Sequence, residues 1–475
     1  MIKIRHKYAF IFLFQPIIAV AANDLPIKVI EAFKKNDINL NNISISVVHL
    51  GGETEAKKVL SFNENISRNP ASTMKILTSA AALEVLKPDY NWVTKFFSDN
   101  RNGNTLGGKI YADLQGDPKF VPEILLPMLH KWKAEGIKNI DADFVLNNAI
   151  FSKNPDSSSD DESNEVYAVK PQADNFAFNS VTAKFNGEEV KLNYPIYGVR
   201  LNNNLVLTNE LCPNNKTWGN NINYSIKEAD GIYLINLTGK YSKFCSDKSF
   251  NMPISNYISN KDFFVRSLLG LWASIEGNII KYPNISYGEV SKNSVLIGEI
   301  LSFPLAALIY DMNKFSNNLM ARLIFLRLGI MTQPNHLNAE LSRKTVLNYL
   351  KENNIDSYSI VLENGSGLSQ LERISAKQMT DILGLAYSKP FFKNFLESLP
   401  IAGVDGTMKN RLQDISGKAW LKSGTLNNVR AIAGYISDGK GGFYAVSAMV
   451  NEENAGRANP ALDELVRHIA SLNTE

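Results

Sequence analysis

The chain has 475 residues, of which 44% are hydrophobic and 20% charged, with a formal net charge of +3. That length exceeds one hydrophobic core, so two or three domains are expected, and the balanced charge without a Lys/Arg-dense block excludes a nucleic-acid-binding arm. His49, His130, His336 and His468 stand far apart and the cysteines are only two, so neither a metal site nor a cofactor is expected.

At the N-terminus Lys3, Arg5 and Lys7 precede a mostly apolar run from Tyr8 to Val20, and Ala19-Val20-Ala21 has the small residues of a cleavage site. Residues 1–22 are therefore read as an export signal, giving a periplasmic protein without a transmembrane anchor after cleavage. An uncleaved anchor is the alternative, although Gln15 and Pro16 interrupt a run already short for a bilayer. In an exported chain Cys212 and Cys245 are expected to form a disulfide across a loop-rich segment, with two free buried thiols as the alternative.

Pro26 to Lys35 has the pattern of an amphipathic helix. Ile43, Ile45 and Val47 alternate with polar partners as a strand does, and a second strand at Val59 to Phe62 follows the Gly51-Gly52 turn. From Asn69 to Leu86 the chain predicts a helix starting near Ser72, stopped by Pro88 and apolar on nearly every side, hence buried. Between 96 and 295 the texture is β-rich, with alternating segments at Lys109 to Leu114, Asp143 to Leu146, Val190 to Leu192, Asn204 to Thr208 and Ile232 to Thr238, and one helix at Lys261 to Glu276. Pro155 to Glu165 has nothing apolar to bury and is expected as an exposed mobile loop. Helices follow at Pro304 to Lys314, Asn318 to Leu328 and Ala339 to Leu350. Strands are expected at Ala419 to Lys422, Arg430 to Ile436 and Phe443 to Val450, the last two joined by a turn at Asp438 to Gly442, before a helix from Ala461 to Leu472. The fold class is α/β (α+β): one discontinuous domain, 23–95 and 296–475, with an antiparallel sheet flanked by helices and a 96–295 insertion read as two subdomains.

Lys75 in the first turn of a buried helix needs a reason, because a buried ammonium costs several kcal/mol unless paired or deprotonated. Ser72, three residues earlier, shares its helix face, and a desolvated lysine can serve as the base that activates a serine. An N-cap serine followed by a lysine reaching water has the same signature. Ser316 and Asn318 stand two apart in what is read as an extended link, so both can face one cleft, the hydroxyl to relay a proton and the carboxamide to hold a substrate amide. Helix capping explains them equally. In Trp420-Leu421-Lys422-Ser423-Gly424-Thr425, Lys422 offers fixed positive charge for a carboxylate and helps keep Lys75 neutral, while Gly424 lets an extended peptide lie along the strand edge. An ordinary strand end would look the same.

In this order, Ser72-Thr73-Met74-Lys75, Ser316-Asn317-Asn318 and Lys422-Ser423-Gly424 resemble the SxxK, SxN and K[TS]G motifs of penicillin-binding proteins and serine β-lactamases. The long stretch between Lys75 and Ser316 resembles the DacB-type D-alanyl-D-alanine carboxypeptidase/endopeptidases, the class C low-molecular-mass penicillin-binding proteins. Leu114 to Pro118, Glu363 to Ser369 and Pro400 to Thr407 are further family-like stretches. The resemblance implies a serine β-lactamase/transpeptidase-like fold and a serine DD-peptidase that cleaves D-Ala-D-Ala ends and D-alanyl cross-links of peptidoglycan stem peptides, with β-lactams as covalent inhibitors. It implies Ser72 as nucleophile, Lys75 as general base and Ser316 as proton relay. Asn318 would bind the substrate amide, Lys422 with Ser423 the terminal carboxylate, and the N–H groups of Ser72 and Thr425 the oxyanion. Asp174 is a candidate for an aspartate that some members contribute from the inserted region. A serine β-lactamase and a catalytically idle cell-wall binding protein are the competing readings. The sequence leaves open whether the chain forms a homodimer.

Overall fold

A computed structural model describes residues 25–51, 56–156, 166–213 and 217–472. The expected export signal at 1–22 and residues 157–165 of the expected mobile loop lie outside them.

Both ends of the chain build one antiparallel five-stranded sheet, in the order Ala419–Leu426, Val429–Ser437, Phe443–Asn451, Ile43–Leu50, Lys57–Phe62. Alternation along the strands divides their residues between two cores. Ile43, Ile45, Val47, Val446, Ala448 and Val450 meet Val29 and Phe33 of the Ile27–Lys35 helix and Leu465 and Ile469 of the Asn459–Ser471 helix. Ala445 and Met449 face the opposite side, toward the Lys75–Val85 and Ala376–Tyr387 helices. On that second face Ser46 shares a 2.9 Å hydrogen bond with Thr380. The Ala376–Tyr387 helix, not anticipated above, starts in a capping box, with Ser375 accepting from Gln378 N–H while the Gln378 side chain accepts from Ser375 N–H.

The inserted region is less purely β than expected. Its main sheet begins at Val93–Asn102 and ends at Val295–Leu301, and its Thr105–Asp113 and Asn139–Asn147 strands run parallel. A parallel pair needs a crossover, and the Pro122–Ala134 helix supplies it, so the region holds this helix as well as Asn260–Ser274. Two three-stranded sheets complete it, one of Val199–Thr208, Ile222–Ala229 and Ile232–Ser242, the other of Ser180–Asn186, Glu189–Leu192 and Lys248–Pro253. The Cys212–Cys245 disulfide is present and ties the segments that follow Val199–Thr208 and Ile232–Ser242.

Candidate active site

The expected helix at Ser72 has a tighter start than read from sequence. Ala71–Met74 is a 3-10 turn and the α-helix begins at Lys75. Ala71 sits at φ 46°, its N–H held by Asn69 Oδ1 at 2.8 Å, and the Thr73 hydroxyl donates to Pro70 O at 2.7 Å. In a 3-10 turn residues three apart eclipse, which stacks Lys75 directly on Ser72. Lys75 Nζ lies 3.1 Å from Ser72 Oγ, 2.7 Å from Asn318 Oδ1 and 2.5 Å from Ser366 O, and the side chain is fully buried. Desolvation, then the positive charges of Lys422 and Arg322, hold its pKa well below the ordinary lysine value, while Glu372 opposes them. A neutral amine has two N–H bonds and one lone pair. In that form the two carbonyl oxygens would take the N–H groups and leave the lone pair for the Ser72 hydroxyl.

The Phe315–Asn318 link is not extended. Two residues separate helix Leu305–Phe315 from helix Asn318–Arg327: Ser316, in the left-handed conformation at φ 57° and ψ 37°, and Asn317, which caps the second helix by accepting from Met320 N–H at 2.9 Å. Ser316 and Asn318 still reach the same site, through a helix–turn–helix corner rather than strand alternation. Lys314 fixes that corner: it is buried, and its ammonium donates to Leu399 O at 2.7 Å and Asp405 Oδ2 at 2.6 Å, while Asp405 Oδ1 accepts Ile401 N–H at 2.8 Å.

Lys422, in the edge strand Ala419–Leu426, donates to Ser316 Oγ at 2.8 Å and Ser423 O at 3.0 Å. It is fully buried, and desolvation lowers its pKa to about 7. Its charge is therefore titratable near neutrality rather than fixed. Ser423 Oγ and Thr407 Oγ1 lie 3.0 Å apart, and Thr425 is exposed at the strand end. The Pro400–Ala402 segment covers the outer edge of the strand at Ala419 and Leu421, ahead of the motif. Gly424 is also required by packing: a Cβ there would lie 2.6 Å from Pro70 O and 3.1 Å from Ala71 Cβ. The strand and the Ser72 turn touch at this glycine.

The Glu363–Ser369 loop, singled out above without a role, carries groups that sequence reasoning missed. Ser366 supplies a carbonyl to Lys75, and Gly365 O accepts from Thr78 Oγ1 at 2.6 Å. Asn364 Oδ1 holds the loop by accepting from Ser366 N–H at 3.0 Å and Ser366 Oγ at 2.7 Å. Gly367 adopts φ 79°, and a Cβ on it would fall 1.9 Å from Ala71 O and 2.8 Å from Ser72 N. Backbone acceptors have no side-chain signature; the paired glycines were the available signal. Asp174 lies elsewhere. It is buried, accepts from the Tyr287 hydroxyl at 2.7 Å, and burial raises its pKa; its described partners belong to the inserted region and not to the Ser72 cluster.

Comparison with known proteins agrees with this arrangement. The family model described as "D-Ala-D-Ala carboxypeptidase 3 (S13) family" matches residues 26–470. The chain is 25% identical over 421 residues to the D-alanyl-D-alanine carboxypeptidase DacB of Haemophilus influenzae, covering 84% of this chain and 83% of that protein. The crystal structure of penicillin binding protein 4 (dacB) from Haemophilus influenzae superposes with a TM-score of 0.72 at 21% identity, over 94% of this chain and 100% of that one, and it has also been crystallised with a β-lactam. A peptidoglycan endopeptidase of Bdellovibrio bacteriovorus shares the fold with a TM-score of 0.51 at 15% identity, over 92% and 93% of the two chains. With a family model matched across residues 26–470, the chain belongs to the D-Ala-D-Ala carboxypeptidase 3 (S13) family of serine peptidases.

Proposed function

We propose that Ser72 is the nucleophile of this serine DD-peptidase and that it acts in the periplasm on peptidoglycan stem peptides, removing terminal D-alanine and cutting D-alanyl cross-links. The observation that carries the reading is the fully buried Lys75 Nζ at 3.1 Å from Ser72 Oγ, with its other two contacts, Asn318 Oδ1 and Ser366 O, both acceptors; in the neutral amine they take the two N–H groups and leave the lone pair to the Ser72 hydroxyl. Lys75 takes the Ser72 proton as Oγ attacks the penultimate D-alanyl carbonyl, and the N–H groups of Ser72 and Thr425 receive the oxyanion. Ser316, bonded to Lys422, relays to the departing amine the proton that Lys75 took from Ser72, so its own hydroxyl is restored and Lys75 is neutral again. The C–N bond breaks and an ester to Ser72 remains, which water, deprotonated by Lys75, then hydrolyses with the proton returned to Ser72 Oγ. Protonated Lys422, with Ser423, attracts the terminal carboxylate, and Gly424 brings the strand against the nucleophile turn. Asn318 holds the substrate amide.

The Haemophilus influenzae relative crystallised with a β-lactam supports acylation of Ser72 by penicillins, and the Bdellovibrio endopeptidase supports action on cross-links. The five-stranded sheet built from both chain ends supports a discontinuous catalytic domain at 23–95 and 296–475 around a 96–295 insertion. Among the described residues no helix is long and apolar enough to cross a membrane. The test is labelling by a fluorescent penicillin, which Ser72→Ala abolishes while the thermal unfolding transition is retained. Surviving label removes Ser72 from its role. Mass analysis of muropeptides from digested sacculi separates the two activities: pentapeptides becoming tetrapeptides reports terminal cleavage, and loss of cross-linked dimers reports endopeptidase action.

A further inference from the structure

The Phe315–Asn318 link has two sides. Ser316 and Asn318 turn to Lys422 and Lys75, while Phe315 and Asn317 line a separate cavity of 680 Å³ that runs to the Ser180–Asn186 and Lys248–Pro253 strands of the inserted region. We propose that this cavity binds the N-acetylated amino sugar of the glycan strand that bears the stem peptide, an inference that rests on the DD-peptidase reading above.

Three observations carry it. The cavity combines aromatic faces, Phe178, Phe303 and Phe315, with a row of hydroxyls and amides from paired strands: Thr182 Oγ1 donates to Asn251 Oδ1 at 2.8 Å, and Lys184 Nζ to Ser249 Oγ at 2.9 Å. Apolar ring faces beside hydroxyl and amide groups match a sugar ring with an acetamido arm. Its charges also cancel. Lys119 and Lys184 face Glu123 and Asp311, with Lys119 and Asp311 paired at 2.6 Å, so the lining favours a neutral polar ligand, as the sugar is once its carboxyl is amide-linked to the stem. Finally, Phe178 reaches the cavity from three consecutive left-handed residues, Ala177, Phe178 and Asn179 at φ 46°, 56° and 48°. The Asn179 side chain locks the turn, accepting from Phe176 N–H at 3.3 Å and donating to Asn260 Oδ1 at 2.5 Å. Residues with a Cβ persist in that conformation where surrounding structure forces them, and such sites cluster at ligand clamps. A stem in extended form covers roughly 3.3–3.6 Å per residue, so its sugar lies several residues' length from a D-Ala-D-Ala end held at Ser72, and the proposal takes the stem to run past Ser316 to the cavity on the other side of the Phe315–Asn318 link.

Two readouts test this. The peptide-free disaccharide of N-acetylglucosamine and N-acetylmuramic acid is titrated calorimetrically into the Ser72→Ala protein and into Ser72→Ala carrying Thr182→Ala and Asn251→Ala, which change surface positions. Binding to the first and at least tenfold weaker binding to the second is expected; no binding, or equal binding to both, overturns the proposal. In the active enzyme, kcat/KM for a D-Ala-D-Ala stem linked to the disaccharide is compared with that for the free stem. A preference of about tenfold, expressed in KM and collapsing toward one in the double variant, is expected. Turnover of free stem without such a preference defeats the sugar site alone. Absence of turnover on both substrates defeats the DD-peptidase reading, and the calorimetry then decides the sugar site by itself.

Discussion

Gly367→Ala is the most direct probe of how Ser72, the proposed nucleophile, is held. The new methyl group would sit 1.9 Å from the Ala71 carbonyl oxygen and 2.4 Å from its carbon, where real contacts begin near 3.0 Å. The Ala71–Ser72 peptide must therefore retreat by about 1 Å, and Ala71, itself at φ 46° with its N–H bound to Asn69, has little freedom to absorb the shift. A positive φ at residue 367 adds ~1–2 kcal/mol of strain for any side chain. Misplacing a reacting atom by ~1 Å costs on the order of 10²-fold in rate, or ~2.7 kcal/mol of transition-state stabilisation. We expect kcat/KM on a D-Ala-D-Ala peptide and the second-order rate of labelling by fluorescent penicillin to fall together by about that factor. Both are measured on protein whose folded fraction is scored by thermal unfolding. A folded Gly367→Ala protein that acylates within twofold of the parent would refute the claim that the Glu363–Ser369 loop sets the position of Ser72.

Other tests address charge and covalent structure. Lys422, with its pKa lowered to about 7, loses its proton as pH rises through neutrality, so kcat/KM should decline on the alkaline side. Lys422→Arg keeps a charge at all accessible pH and should move that limb upward by more than one unit; an unmoved limb assigns it to another group. The same shift makes stability pH-dependent. Between about 7 in the fold and 10.5 in the unfolded chain, the unfolded state binds the extra proton, so unfolding free energy rises with pH across that window, by at most ~1.4 kcal/mol per unit, and the gain is lost as pH falls to 7. Urea midpoints at both ends of the window should show this slope in the parent and a shallower one in Lys422→Met. Replacing Cys212 and Cys245 by serine removes a closure across a sequence separation of 33. It should cost about 2–4 kcal/mol in denaturant unfolding while penicillin acylation proceeds at the parental rate.

The chemistry-bearing side chains were legible in sequence because each motif requires particular side chains at short, fixed spacing. Ser72 and Lys75, Ser316 and Asn318, and Lys422 with Ser423 could be paired without coordinates. Their backbone settings could not. The 3-10 turn at Ala71–Met74 packs against Gly424 and Gly367, and the left-handed Ser316 follows a Lys314 held by Asp405; Gly424, Gly367 and Asp405 are all remote in sequence from the residues they help place. The Ser366 carbonyl went unread because any residue can present one. The Pro122–Ala134 helix escaped notice with Pro127 inside it, a residue that argues against a helix interior. The Ser375–Gln378 capping box was a visible signal for the Ala376–Tyr387 helix and was passed over.

The pairing of Ile43–Leu50 with Phe443–Asn451 has a consequence in time. At ~5–20 residues per second of synthesis, the first strand waits tens of seconds for its neighbour, holding an unsatisfied edge while the inserted region is already complete enough to fold. The Ser72 turn leans on Gly424 in the late-made strands. With Ser72 as the proposed nucleophile, a fragment interrupted before those strands is expected to take no penicillin label, the topology holding back the proposed activity until the whole sheet has been delivered.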